Sequence, residues 1–104
     1  MKSEQSIRLF HGSSRNYRSI LARGFRAEDT DFLYSARAAG DFVQDSGPST
    51  NQGVIEVAIP RKEYDKLLTE KFIVEAVYEG HNPKCQAKAE AMAVINQYIV
   101  GKRG

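Results

Sequence analysis

One cysteine, Cys85, and two histidines, His11 and His81, are all that 104 residues contain of those two types. A single cysteine excludes an internal disulfide and a cysteine-rich zinc site, and two histidines leave few ligands for a metal, so metal chemistry is not expected. Long apolar runs are also missing. None approaches the ~20 residues that a bilayer span needs, and the polar start MKSEQS lacks the pattern of a secretory signal. The expectation is a soluble chain with no membrane segment. Charge of one sign is scarce: 15 Lys and Arg stand against 13 Asp and Glu, a net +2 that comes partly from the terminal GKRG. So small an excess is compatible with nucleic acid but identifies no partner. There are no repeats, low-complexity tracts or dividing linkers, and the length suits one domain, residues 1–104, around one modest core.

What is present is a run of short periodic segments. In SIRLFH (6–11) alternation puts Ile7, Leu9 and His11 on one face of a strand and Arg8 and Phe10 on the other. Ser13 or Ser14 is placed to cap a following helix in which Tyr17, Ile20 and Leu21 recur before Gly24 stops it. A short strand at Phe32–Tyr34 leads into a helix carrying Ala36, Ala39, Phe42 and Val43. The turn formers DSGPSTNQG (45–53) read as an exposed loop. After them come a strand in GVIEVAIP, a helix in RKEYDKLL and a strand in KFIVEAVYEG. HNPKCQ reads as a loop, AKAEAMA as a short helix or irregular segment, and VINQYIV as a last strand with Ile95, Gln97 and Ile99 on one face. Helices early and strands late predict an α+β fold with mostly antiparallel strands.

Three residues interrupt these apolar rows: His11 ends the first strand, Tyr34 the second, and Gln97 sits in the last. Read alone, each has a plain explanation. A strand-end histidine often only bonds a backbone carbonyl, a tyrosine is usually core, and a glutamine on a strand often faces water.

Taken together and in order, LFHGSS, ILARGF and FLYSARAAGDFV, with the closing NQYIV, resemble the ADP-ribosyltransferase superfamily. The likeness is to its diphtheria-toxin and poly(ADP-ribose) polymerase branch, which is known by a His-Tyr-Glu triad. It is strongest over residues 8–43, while 45–90 match only as strands and helices. The resemblance implies a small fold of two packed, mostly antiparallel β-sheets with short flanking helices. It implies NAD as substrate, no metal, and transfer of ADP-ribose to a macromolecular target, protein or nucleic acid, with release of nicotinamide.

Carried over by residue, His11, Tyr34 and Gln97 take the catalytic positions. His11 would bond the nicotinamide-side ribose, the Gly12 backbone would hold the carboxamide, Ser13 would support the ribose, and Tyr34 would stack on the pyridinium ring. Ser35 and Phe42 complete the implied NAD-binding set. The chemistry agrees: glycine permits close backbone approach, and an aromatic face attracts a cationic ring. The resemblance further implies a monomeric bacterial effector or toxin used in competition and delivered to the cytoplasm of a target cell, and it leaves room for a cognate immunity protein. Lys84, Gln86 and Lys88 are candidate target contacts.

Gln97 departs from the family's glutamate. An amide keeps a hydrogen bond but not the charge that steadies an oxocarbenium-like transition state. Three accounts stand: a natural variant of weak or altered activity, a Glu→Gln inactivated form, or another acid among Glu56, Glu75, Glu79 and Glu90. Two other functions compete, a small RNase toxin using His11 with Lys or Arg, and a non-catalytic module that binds NAD or ADP-ribose.

Overall fold

The computed structural model describes residues 5–13, 16–26, 30–45, 47, 51–76 and 83–103, with the backbone alone for 101–103. Among the described residues six strands, β1 (Ser6–Ser13), β2 (Thr30–Leu33), β3 (Gly53–Pro60), β4 (Ile73–Ala76), β5 (Lys84–Ala87) and β6 (Ile99–Arg103), form one antiparallel sheet. Their order is β4-β5-β2-β1-β3-β6. Among the described residues four helices accompany them: α1 (Tyr17–Arg23), α2 (Ala36–Asp45), α3 (Arg61–Thr69) and α4 (Ala89–Asn96).

The α+β class and antiparallel pairing match the expectation, but the two packed sheets do not. There is one sheet with a weak seam. β1 pairs with β3 along its whole length, Ser6–Pro60 to Ser13–Gly53, yet among the described residues meets β2 in the ladder only at Phe10–Leu33. Among the described residues this one bridging pair keeps β4-β5-β2 and β1-β3-β6 within the same sheet. Sequence periodicity reports which face a residue occupies and says nothing of whether such a seam closes.

Both faces of β1 are covered, which its alternation dictates. Leu9, with Ile55, Val57 and Ile59 of β3, joins the main core beneath α1, α3 and α4, together with Phe25, Phe32, Tyr64, Leu67, Ile73, Ala91 and Ile95. Phe10 and Gly12 face the other side, where Ala39 and Val43 of α2 lie. The start of α1 is fastened from far along the chain. The Tyr17 N–H donates to the Asn51 carbonyl at 3.2 Å and the Arg18 N–H to Asn51 Oδ1 at 2.7 Å. Asn16 occupies the N-cap without a side-chain cap bond, and the Ser13 hydroxyl accepts from the Asn16 N–H at 3.0 Å, so Ser13 is not the cap; Ser14 lies outside the described residues. Gly24 ends α1 as expected, with φ +82° and its N–H on the Ile20 carbonyl at 2.7 Å. The loop read at DSGPSTNQG is described only in part: Asp45 closes α2 and Gly53 opens β3.

The C-terminal third differs most. Residues read as loop in HNPKCQ contribute β5, and the expected last strand begins late, because α4 runs through Val94, Ile95 and Asn96. KCQA is too short for a readable alternation, and the helix formers of AEAMA carry two β-branched residues with them.

Candidate active site

His11 leaves β1 on the core face. Its Nδ1 lies 2.8 Å from the Asp31 carbonyl of β2, and its ring meets Phe25 edge-on with centroids 5.3 Å apart and leans on Phe32 at 5.8 Å. A carbonyl only accepts, so Nδ1 carries the proton and Nε2 keeps the lone pair. Burial lowers the imidazole pKa below its usual value; the bond to the Asp31 backbone and the Asp31 charge oppose this to a smaller extent. The contact to Asp31 is also what a purely structural histidine makes. The difference here is Nε2, which hydrogen-bonds to no described residue and is an acceptor for a donor such as a sugar hydroxyl.

The sign of the pH effect follows. Unfolded chain protonates His11 near its ordinary value, and folded chain does so only at lower pH, so the unfolded state binds more protons in that window. Stability is expected to fall as pH drops from about 6.5 toward the folded-state value. Urea titrations across that range check it: His11→Gln should flatten the slope, and an unchanged slope would remove the assignment to His11.

Tyr34 follows β2 directly. His11 is one residue beyond Phe10 and Tyr34 one residue beyond Leu33, so the two residues singled out by sequence flank the Phe10–Leu33 pair on either side of the seam. Tyr34 is 36% exposed. Its hydroxyl sits 3.0 Å from the Tyr64 hydroxyl of α3 and 3.3 Å from Glu75 Oε2 of β4, and Tyr64 donates to the same oxygen at 2.8 Å. Burial raises both phenol pKa values. Cys85, in register with both Phe32 and Glu75, is fully buried beside this group. Desolvation pushes its thiol up to about 11, against partial opposition from the two tyrosine hydroxyls, which leaves it unreactive near neutral pH.

The other expected site residues are placed as follows. Ser35 caps α2, its hydroxyl accepting from the Ala38 N–H at 3.2 Å. Ser13 is buried at the end of β1. Gly12 makes a close approach, but to α2: a Cβ there would stand 2.5 Å from the Ala39 carbonyl oxygen. Phe42, 53% exposed, lies against Gly12 on the sheet face opposite the His11 ring.

Gln97 is not on a strand. It is the C-cap of α4, exposed, with Nε2 donating to the Ala93 carbonyl at 3.2 Å. The next residue, Tyr98, accepts from Ala58 of β3, three positions along from Ile55, the partner of His11. His11 and Tyr34 thus lie next to the β1–β2 seam with different partners, His11 on Asp31, Phe25 and Phe32 and Tyr34 on Tyr64 and Glu75, while Gln97 lies on the β6 side, away from Tyr34.

Of the other acids, Glu56 is 3% exposed beside Arg8 at 3.5 Å, on the α2 face. Glu90 opens α4, and Glu79, like His81, lies outside the described residues. Glu75 is the carboxylate that meets Tyr34. Lys84 and Gln86, expected as target contacts, hold the Asp31 carboxylate at 3.1 and 3.2 Å; Lys88 is the exposed N-cap of α4.

Sequence reasoning missed Tyr64 and the structural amide of Asn96, whose Oδ1 accepts from the Phe25 N–H at 2.7 Å and whose Nδ2 donates to the Phe25 carbonyl at 3.0 Å. Nothing local signals either partner. Among the described residues no three of His, Cys, Asp and Glu are grouped to share a metal ion, and no helix is long and apolar enough to cross a membrane. Comparison with protein-family models, with curated proteins and with solved structures finds no match to this chain.

Proposed function

We propose that this chain is an NAD-dependent ADP-ribosyltransferase domain of the toxin or effector kind, its sheet a small ADP-ribosyltransferase-like fold parted at the β1–β2 seam. One observation carries the reading: His11 and Tyr34 each adjoin the Phe10–Leu33 pair at that seam, one with an acceptor nitrogen that bonds no described residue and the other with about a third of its surface exposed, 36%. Nε2 takes a ribose hydroxyl and the phenol ring seats the pyridinium. The bond from the ribose C1′ to the ring nitrogen breaks with its electron pair going to the ring, which leaves as neutral nicotinamide. The sugar cation is captured by a nucleophile of a protein or nucleic-acid acceptor, which then loses its proton. A carboxylate stabilises that cation, and in this reading Glu75 supplies the charge instead of Gln97.

Calorimetric NAD binding and nicotinamide release test the proposal. His11→Ala and Tyr34→Ala are each expected to weaken NAD binding about tenfold, whereas Gln97→Glu should leave binding and release within about twofold, as expected of a side chain off the site. NAD affinity unchanged in both alanine variants sinks the reading. The placement of Gln97 at a helix end also favours a second reading, a module that binds NAD without turnover. It predicts the same losses of affinity with no nicotinamide released.

A further inference from the structure

Tyr64 belongs to none of the sequence motifs, yet it and Glu75 hold the one oxygen that Tyr34 has to offer. Each phenol has a single proton. Tyr64 gives its proton to Glu75 Oε2 at 2.8 Å, and Tyr34 gives its own either to the Tyr64 oxygen at 3.0 Å or to Oε2 at 3.3 Å. Both routes end on the carboxylate. With the phenol pKa values raised by burial, the two groups stay protonated and donate throughout the neutral range.

A phenol that donates to an anion carries more electron density over its ring. The negative face of its quadrupole deepens, and a cation placed there is held more strongly. The carboxylate beyond the hydroxyl adds direct attraction for the same cation. Both effects act on charge and are nearly indifferent to shape. Resting on the NAD reading above, we infer that Tyr64 and Glu75 tune the exposed Tyr34 ring to select a cationic pyridinium over its neutral dihydropyridine counterpart, and so set the preference for the oxidised over the reduced dinucleotide. Tyr64 and Glu75 are then specificity-determining residues, Tyr64 acting on the bound ring through Tyr34 and Glu75 both through Tyr34 and by its own charge.

The test is the ratio of dissociation constants for oxidised and reduced dinucleotide, measured by calorimetry in wild type, Glu75→Gln, Glu75→Asp, Tyr64→Phe and Tyr34→Ala. Wild type should prefer the oxidised form about tenfold or more. Glu75→Gln should cut that preference about fivefold by weakening the oxidised form alone, with the reduced form changed less than about twofold. Tyr64→Phe should act in the same direction by a smaller factor, and Glu75→Asp should restore most of the preference. Equal weakening of both forms in Glu75→Gln makes Glu75 a structural residue and overturns the inference. So does an unchanged ratio in a background where Tyr34→Ala abolishes binding, although the NAD reading then survives. Failure of wild type to bind either form overturns the reading and the inference with it.

Discussion

Phe32→Ala is expected to destabilise the fold by about 3–5 kcal/mol, a large share of the roughly 5–15 kcal/mol that holds a domain of this kind together. The ring is 0% exposed, packs edge to face on Phe25 with centroids 5.0 Å apart, and supports the His11 imidazole at 5.8 Å. Cys85 is its register partner on β5 and is equally buried. Relief by collapse is limited because β2 is pinned at four positions to β5 and cannot slide toward the hole. Thermal melting should drop by about 15–30 °C, and Phe32→Leu, which leaves less empty volume, should lose roughly a third as much. A Phe32→Ala protein that melts within about 5 °C of wild type would contradict the burial described here. The same variant removes the surface against which His11 leans, so under the proposed function NAD binding should weaken even below the melting transition.

What could be read in advance was whatever one face of one element dictates. The alternation in SIRLFH placed Leu9 and His11 on the core face, and the recurrence of Tyr64 and Leu67 marked α3 with its buried side. Gly24 stopped α1 because the left-handed backbone it adopts is a local property of glycine. The misses depend on partners far away in the chain. β5 has four residues and gains its strand state from pairing with both β2 and β4. Val94 and Ile95 favour a strand by themselves and are helical because Ile95 is buried in the core from α4. The site divides in the same way. His11 could be placed because it lies on a strand of readable alternation, whereas Tyr34, expected to end the second strand, stands one residue past it. Gln97 was misplaced because the strand that carried the inference starts two residues later, at Ile99. Glu75 was one of four candidate acids and Tyr64 only a buried helix position; nothing local paired them, since a phenol on a helix and a carboxylate on an edge strand become a pair only when the sheet is assembled.

Gly12→Ala separates two meanings of the glycine beside His11. If Gly12 served only to let a ligand reach the backbone, a methyl group there would weaken NAD binding and leave the free protein's stability alone. The structure sets another expectation, because the methyl would stand 2.5 Å from the Ala39 carbonyl oxygen, 3.1 Å from Val43 Cγ2 and 3.2 Å from Phe42 Cδ2. The first of these is backbone and has no rotamer through which to retreat, so α2 itself must move off β1. A cost of about 2–3 kcal/mol follows, which corresponds to a melting temperature lower by roughly 8–20 °C in the absence of any ligand. Val43→Ala added to Gly12→Ala should recover little, since it leaves the carbonyl in place. Gly40→Ala is the internal control: it lies in the same helix with open space around its added Cβ, and it should stabilise by about 1 kcal/mol through helix propensity. The movement also reaches the proposed site. α2 starts at Ala36 from the Ser35 cap, immediately after Tyr34, so a displaced α2 drags the ring that is read as the pyridinium seat. A Gly12→Ala protein with unchanged melting temperature and weakened NAD binding would restore the ligand-approach meaning; loss of stability in the free protein makes Gly12 first a helix-packing residue, through which the seam and Tyr34 are held in place.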